Sequence, residues 1–178
     1  SLDRIGRYQV TRMIGQGGMG VVYAAHDDRL DRPVAIKVIR PDTLADDKAR
    51  ERFRREARTA ARVSHPHICP LYEFDEDNGQ PYLVMELLDG EPLSTRLNRE
   101  AMPVSEALDL ADTMLDAVAA LHRRGVVHRD LKPANVFLTP HGLRLLDFGL
   151  AQPLSGDERT RDRLTGPADR PRAPPDPA

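Results

Sequence analysis

The hydrophobic pattern changes period once along the chain, and that change limits the folds open to it. Before residue 90 the apolar residues come in short runs rich in β-branched side chains, with turn signals between them. Residues 8–14, "VVYAAHD" at 21–27, "PVAIKVI" at 33–39, "ICPLYEF" at 68–74 and "YLVMEL" at 82–87 each read as a strand. One helix interrupts them, expected over 45–63, with Phe53, Ala57, Ala60 and Ala61 on one face. After residue 90 the period becomes helical. Leu108, Ala111, Leu115, Val118 and Leu121 give a stripe over 105–124, with Ser105 as the candidate N-cap and Gly125 as the stop. Such a chain is α+β: a five-strand, one-helix unit, a hinge near 87–90, and the beginning of a mostly helical unit. Short strands are expected beside "HRDLKPAN" and "LLDFG", with "GVVH" strand-like, and no periodicity survives beyond Gln152.

Composition narrows the function classes. The 178 residues suffice for one ordinary domain. A net charge of −2 argues against a nucleic-acid or membrane-surface binder. Cys69 is the single cysteine, which excludes an internal disulfide and fits a reducing, cytoplasmic setting. No apolar run approaches the roughly 18 residues of a membrane span, and no basic-then-apolar leader opens the chain. It begins at Ser1 rather than Met, which reads as a trimmed start.

Several motifs carry chemistry. Gly15, Gly17, Gly20 and Val22 spell G-x-G-x-x-G-x-V between the first two strands. Glycines there let the backbone approach phosphates closely. A plain glycine-rich hairpin satisfies the same pattern. A dinucleotide-binding turn requires a helix directly afterwards, and Val21-Val22-Tyr23 is strand-like instead. Lys37 lies mid-strand in "VAIK" and reads either as a buried lysine needing a partner or as a snorkelling surface lysine. Glu56 in "RFRREA", taken alone, is one more charge on a solvated helix face. In "HRDLKPAN" the polar set is denser. Asp130 can accept a proton from a hydroxyl nucleophile. Lys132 can neutralise phosphate charge, and the Asn135 amide oxygen can ligate a hard cation. Asp147 in "LLDFG" supplies a second oxygen ligand. Any one of these is an ordinary polar turn; the whole set in this order is rare by chance. His65, His67 and Cys69 in "SHPHICP" can be drawn as a metal site or as a structural turn, and the turn is the better reading.

With these motifs in order, residues 8–152 resemble a protein kinase. "GQGGMGVVY" and "LVMELLDGEPL" are similar to the bacterial, Hanks-type kinases, and Lys132 in "DLKPAN" to their serine/threonine branch. The resemblance implies a five-stranded antiparallel N-lobe with one helix at 8–88. It implies the first part of a mainly helical C-lobe at 89–152, and a partial activation segment with a disordered Pro/Arg-rich tail at 153–178. It implies phosphoryl transfer from ATP, with Mg²⁺, to Ser or Thr hydroxyls of protein substrates. Ile14, Gly15, Gly17 and Gly20 would close over the nucleotide, and Val22 and Ala35 would contact the adenine faces. Lys37 would hold the α- and β-phosphates and pair with Glu56. Met85 would stand beside the adenine, with Glu86 and Leu88 offering it hinge backbone groups. Asp130 would orient or deprotonate the substrate hydroxyl, Lys132 would meet the γ-phosphate, and Asn135 and Asp147 would hold Mg²⁺. His128 would pack the catalytic loop, and Arg129 would clamp an activation-loop phosphate.

Past "DFGLA" the resemblance thins. The family continues into a "GTPxYxAPE"-like block and further helices, and "RLTGPADRPRAPPDPA" at 163–178 supplies neither. Thr160 and Thr165 are the candidate activation-loop phosphosites. The stripe over 105–124 would normally pack against those helices, so it is expected to be exposed and open to self-association. The chain thus reads as a kinase domain truncated after its DFG motif, with impaired transfer. The alternatives are a catalytically silent nucleotide-binding or scaffold fragment, and a gene remnant whose reading frame shifts near 164–168.

Overall fold

The computed structural model describes residues 3–17, 20–40, 44 and 46–146. Six strands build the first unit: β1 (Arg4–Ile5), β2 (Tyr8–Gly17), β3 (Gly20–Asp27), β4 (Arg32–Ile39), β5 (Leu71–Asp77) and β6 (Gln80–Glu86). They pair antiparallel in the order β1-β2-β3-β4-β6-β5. The five expected strands are all present, and the two-residue β1 is added at the edge. It is too short to show alternation in the sequence.

Alternation sorts the side chains onto two faces. On the outer face Val34, Ile36, Tyr82 and Val84 pack with Ile5, Tyr8 and Ala25. On the inner face Ile39 and Leu83 join Phe53, Ala57 and Ala60. Complete burial of such an aliphatic side chain contributes about 1.5–3 kcal/mol, so both faces matter to stability. Gly20 lets the start of β3 lie close against β4. It sits at φ +150°, and a Cβ there would stand 1.8 Å from the Val38 carbonyl oxygen.

Helix α1 (Asp47–Ala60) is shorter than the expected 45–63. Asp46 caps it, its carboxylate accepting a hydrogen bond from the Ala49 N–H at 2.6 Å. Such a cap is worth about 1 kcal/mol. Phe53, Ala57 and Ala60 are buried as their spacing requires, whereas Ala61 lies past the last turn and is exposed.

The second unit holds β7 (Glu91–Pro92), α2 (Leu93–Arg99), α3 (Val104–Arg123), a 3-10 turn at Pro133–Asn135, β8 (Val136–Thr139) and β9 (Gly142–Leu145). β7, β8 and β9 form a small sheet in that order. Helix α2 was not legible in the sequence. It buries only Leu93, so it carries no apolar stripe. "GVVH" is not a strand: Gly125 lies in the turn that ends α3, and Val126, Val127 and His128 belong to no regular element. Helix α3 starts one residue before Ser105, with Pro103 rather than Ser105 at the capping position and no side-chain cap. Its end is as expected. Gly125 adopts φ +72°, and its N–H and that of Val126 donate to the His122 and Leu121 carbonyls at 2.9 and 3.0 Å. That pair of bonds is a Schellman motif.

Two stripes run along α3. Leu110, Met114, Ala117 and Leu121 face the core that β9 and α1 share. Val104, Leu108 and Leu115 face outward, with 76, 65 and 67% of their surface exposed. Among the described residues no helix is long and apolar enough to cross a membrane.

Candidate active site

Strand register brings the glycine-hairpin and hinge-side residues onto one surface. Gly15 lies opposite Val22, Val22 opposite Lys37, Ala35 opposite Met85 and Lys37 opposite Leu83. Directly opposed residues in a sheet project to the same side, so Val22, Ala35, Lys37 and Met85 share the inner face. Ile14 is 39% exposed beside a register shift in β2. Lys37 is buried at 6% exposure, which rules out the snorkelling reading. Glu86 ends β6, and Leu88 follows in the unpaired stretch before β7.

The catalytic-loop residues converge. Lys132 Nζ stands 2.9 Å from Asp130 Oδ2. The Asn135 amide donates to the Asp130 carbonyl at 2.8 Å and to its carboxylate at 2.9 Å. The Lys132 bond holds the Asp130 carboxyl below the usual carboxylate range, against the burial that would raise it; the Asn135 bond adds to the lowering. His128 is buried and braces the loop. Its Nε2–H donates to the Leu146 carbonyl at 2.8 Å, and its Nδ1 accepts from the Asp130 N–H at 3.3 Å.

Glu56 has a partner that the resemblance does not imply. Its carboxylate pairs with Arg129 Nη1 at 3.1 Å. Arg129 adopts φ +64°, uncommon for a residue with a Cβ, and its guanidinium reaches across to α1. The phosphate-clamp residue of the sequence reading therefore holds a carboxylate here.

Asp147, Thr160 and Thr165 lie outside the described residues. His65 and His67 form a turn. The His67 N–H donates to His65 Nδ1 at 3.1 Å, and His67 Nδ1–H donates to the Leu143 carbonyl at 3.0 Å. Burial, with His67 alongside, holds His65 below the usual histidine range.

The residues present fit a nucleotide and a hard cation. A Cβ built on Gly17 meets nothing within 4 Å, and one on Gly15 meets only Val22 at 3.9 Å. The hairpin thus leaves open space over the sheet where a side chain would intrude. Asn135 uses its amide N–H groups on Asp130, which leaves its Oδ1 with acceptor capacity of the kind a hard cation takes.

A strand-rich unit with a glycine hairpin and buried lysine, set on a helical unit with this polar loop, has the architecture of a phosphotransferase of the protein-kinase type. The comparisons agree. The family profile "Protein kinase domain" matches residues 8–168, and the chain belongs to that family. It is 44% identical over 154 residues to serine/threonine-protein kinase PknA of Mycobacterium tuberculosis, covering 83% of this chain and 36% of that protein. It is 43% identical over 162 residues to a probable serine/threonine-protein kinase of Streptomyces coelicolor, covering 87% and 24%. The chain thus spans about a quarter to a third of these relatives. The PknI kinase domain of M. tuberculosis superposes with a TM-score of 0.77 at 37% identity, over 83% of this chain and 61% of that one. The match is to the bacterial, Hanks-type serine/threonine branch, and kinases of this family use ATP with Mg²⁺.

Proposed function

We propose that this chain is the nucleotide-binding and catalytic-loop part of a serine/threonine protein kinase, moving the γ-phosphoryl group of ATP to Ser or Thr hydroxyls of proteins. The observation that carries the reading is the Asp130–Lys132–Asn135 cluster, in which a carboxylate is kept ionised between an ammonium and an amide. The hydroxyl oxygen bonds to the γ-phosphorus, the bond to the β,γ-bridging oxygen breaks, ADP leaves, and the hydroxyl proton passes to Asp130. A positioned base of this kind contributes about 10²–10⁴-fold. Lys132 offsets charge on the transferring group, and Lys37 holds the α- and β-phosphates. Ile14, Gly15, Gly17 and Gly20 close over them. Val22, Ala35 and Met85 bound the adenine, and Glu86 and Leu88 offer it hinge backbone groups. Asn135 and Asp147 would hold Mg²⁺, which supplies neutralising charge. Glu56 would pair with Lys37 in this role, in competition with Arg129.

The same reading assigns 8–88 to the N-lobe, 89–152 to the first part of the C-lobe, and 153–178 to a partial activation segment and tail. It places the chain in the cytoplasm, where ATP is supplied and Cys69 stays reduced. It also makes transfer by this chain alone slow, because the substrate platform lies beyond the catalytic loop. Thermal unfolding with and without Mg·ATP, followed by γ-phosphate transfer to a general protein substrate, tests the reading. Stabilisation is expected, with transfer below the family range of about 1–100 s⁻¹ and abolished by Asp130→Ala. No stabilisation refutes nucleotide binding, transfer within the family range refutes impairment, and stabilisation without any transfer favours the silent scaffold.

The outward stripe of α3 supports a further reading, self-association through Val104, Leu108 and Leu115. Light scattering should give a concentration-dependent mass that Leu108→Lys with Leu115→Lys returns to the monomer value. A monomeric parent chain sinks this reading.

A further inference from the structure

The segment between α1 and β5 lies between the two ends of the nucleotide site and is bonded to both. Toward the catalytic loop it pairs with β9. The Leu145 N–H donates to the His67 carbonyl at 2.8 Å, and the Cys69 N–H to the Leu145 carbonyl at 3.0 Å. The next residue, Leu146, donates its N–H to the Asn135 carbonyl at 2.9 Å. Toward the hinge, the Glu86 N–H donates to the Pro70 carbonyl at 3.2 Å.

Arg144 on β9 crosses this segment with its side chain. Its Nη1 donates to the Pro66 carbonyl. Its Nη2 faces Glu86 Oε2 at 3.9 Å. That oxygen is buried and has no hydrogen-bond partner among the described residues. Other groups in this neighbourhood are Tyr72, whose pKa is raised first by burial and then by the Glu86 charge, and Arg32, which lies over the Tyr72 ring at 3.9 Å. One guanidinium therefore ties β9, the α1–β5 segment and the hinge residue Glu86 together.

We propose that Arg144 is a positioning residue that fixes the span between the adenine end of the site, at Glu86 and Leu88, and its metal end, at Asn135. The proposal rests on the kinase reading given above. Arg144 touches neither nucleotide nor metal; it acts through Glu86 and β9. The Glu86 side chain is one-third exposed, but its buried, incompletely paired Oε2 is a costly anchor, and it has an evident use if it holds the hinge at a set distance from β9. A ligand that reaches both ends of the site feels that distance, whereas a ligand confined to the adenine end does not. Misplacing reacting groups by about 1 Å can cost about 100-fold in rate, so a small change of span is enough to matter.

Calorimetric titration of the full 178-residue chain with adenosine and with a non-hydrolysable Mg·ATP analogue separates the two cases. Arg144→Ala should weaken the Mg·ATP analogue about fivefold, the scale of a partly exposed ion pair, and adenosine less than about twofold. Arg144→Lys keeps the charge but not the fork and should recover part of the loss. Glu86→Gln should mimic Arg144→Ala, and the double variant should be no worse than either, as for two residues acting as one unit. Equal losses for both ligands, additive losses in the double variant, or no loss at all would overturn the proposal. A parent chain that binds neither ligand removes the kinase reading itself. A parent chain that binds both, with Arg144→Ala binding like it, removes the positioning role alone.

Discussion

The sheet unit and helix α3 differ in how they treat their apolar residues. In the sheet both faces are covered: the inner one by α1, the outer one by the segment that carries Ile5 and Tyr8. In α3 only one of two stripes is covered. Leu121 is fully buried, and Leu115, less than two turns away, is 67% exposed. The part that presents the glycine hairpin and Lys37 is therefore packed within itself. Among the described residues, the helix of the part that presents Asp130 and Asn135 has one covered face and one exposed.

The sharpest way to break this comparison is to cut the same side chain on both sides of α3. Leu121→Ala should cost about 2–5 kcal/mol, as core Leu truncations do. Leu115→Ala should cost less than about 0.5 kcal/mol, since it removes little buried surface. Urea unfolding monitored by circular dichroism measures both. If Leu115→Ala destabilises at low protein concentration as much as Leu121→Ala does, the outer stripe is covered within the chain and the asymmetry is wrong.

The strands and the glycine hairpin were legible because alternation and turn chemistry are local. Register then follows, and with it the common face of Val22, Ala35, Lys37 and Met85. Helix α3 showed its stop clearly at Gly125, but its start was misplaced because Pro103 marks the boundary without a side-chain cap. Strand β1 and helix α2 are too short to display a period. The choice of ion-pair partner was the least legible feature. Glu56 is set against Arg129, 73 residues away, by the placement of α1 over the catalytic loop, and no spacing rule encodes that. The same holds for Arg144, which in the sequence is one charged residue in the short run "LRLL".

A smaller effect tests whether the sheet unit is self-sufficient. Asp27 ends β3 and is fully buried. Its Oδ1 accepts from the Arg29 and Leu30 N–H groups at 3.1 and 3.4 Å, and the guanidinium Nε of Arg7 lies at 3.7 Å. Burial alone would raise its pKa. The two backbone bonds and Arg7 outweigh burial and hold the carboxyl below its usual range. A depressed folded pKa means that the unfolded chain binds the proton first as pH falls. Its contribution is therefore complete above the unfolded value near 4 and is lost as pH drops through the folded value. Asp27→Ala should cost about 1–3 kcal/mol at neutral pH, the range for stranding buried donors. Urea unfolding at stepwise lower pH should show the gap to the parent chain narrowing below about pH 4. A gap that stays constant down to pH 2 would mean that the charge of Asp27 contributes nothing and that its role is steric. A gap that widens would mean that burial, not the backbone bonds, dominates its ionisation.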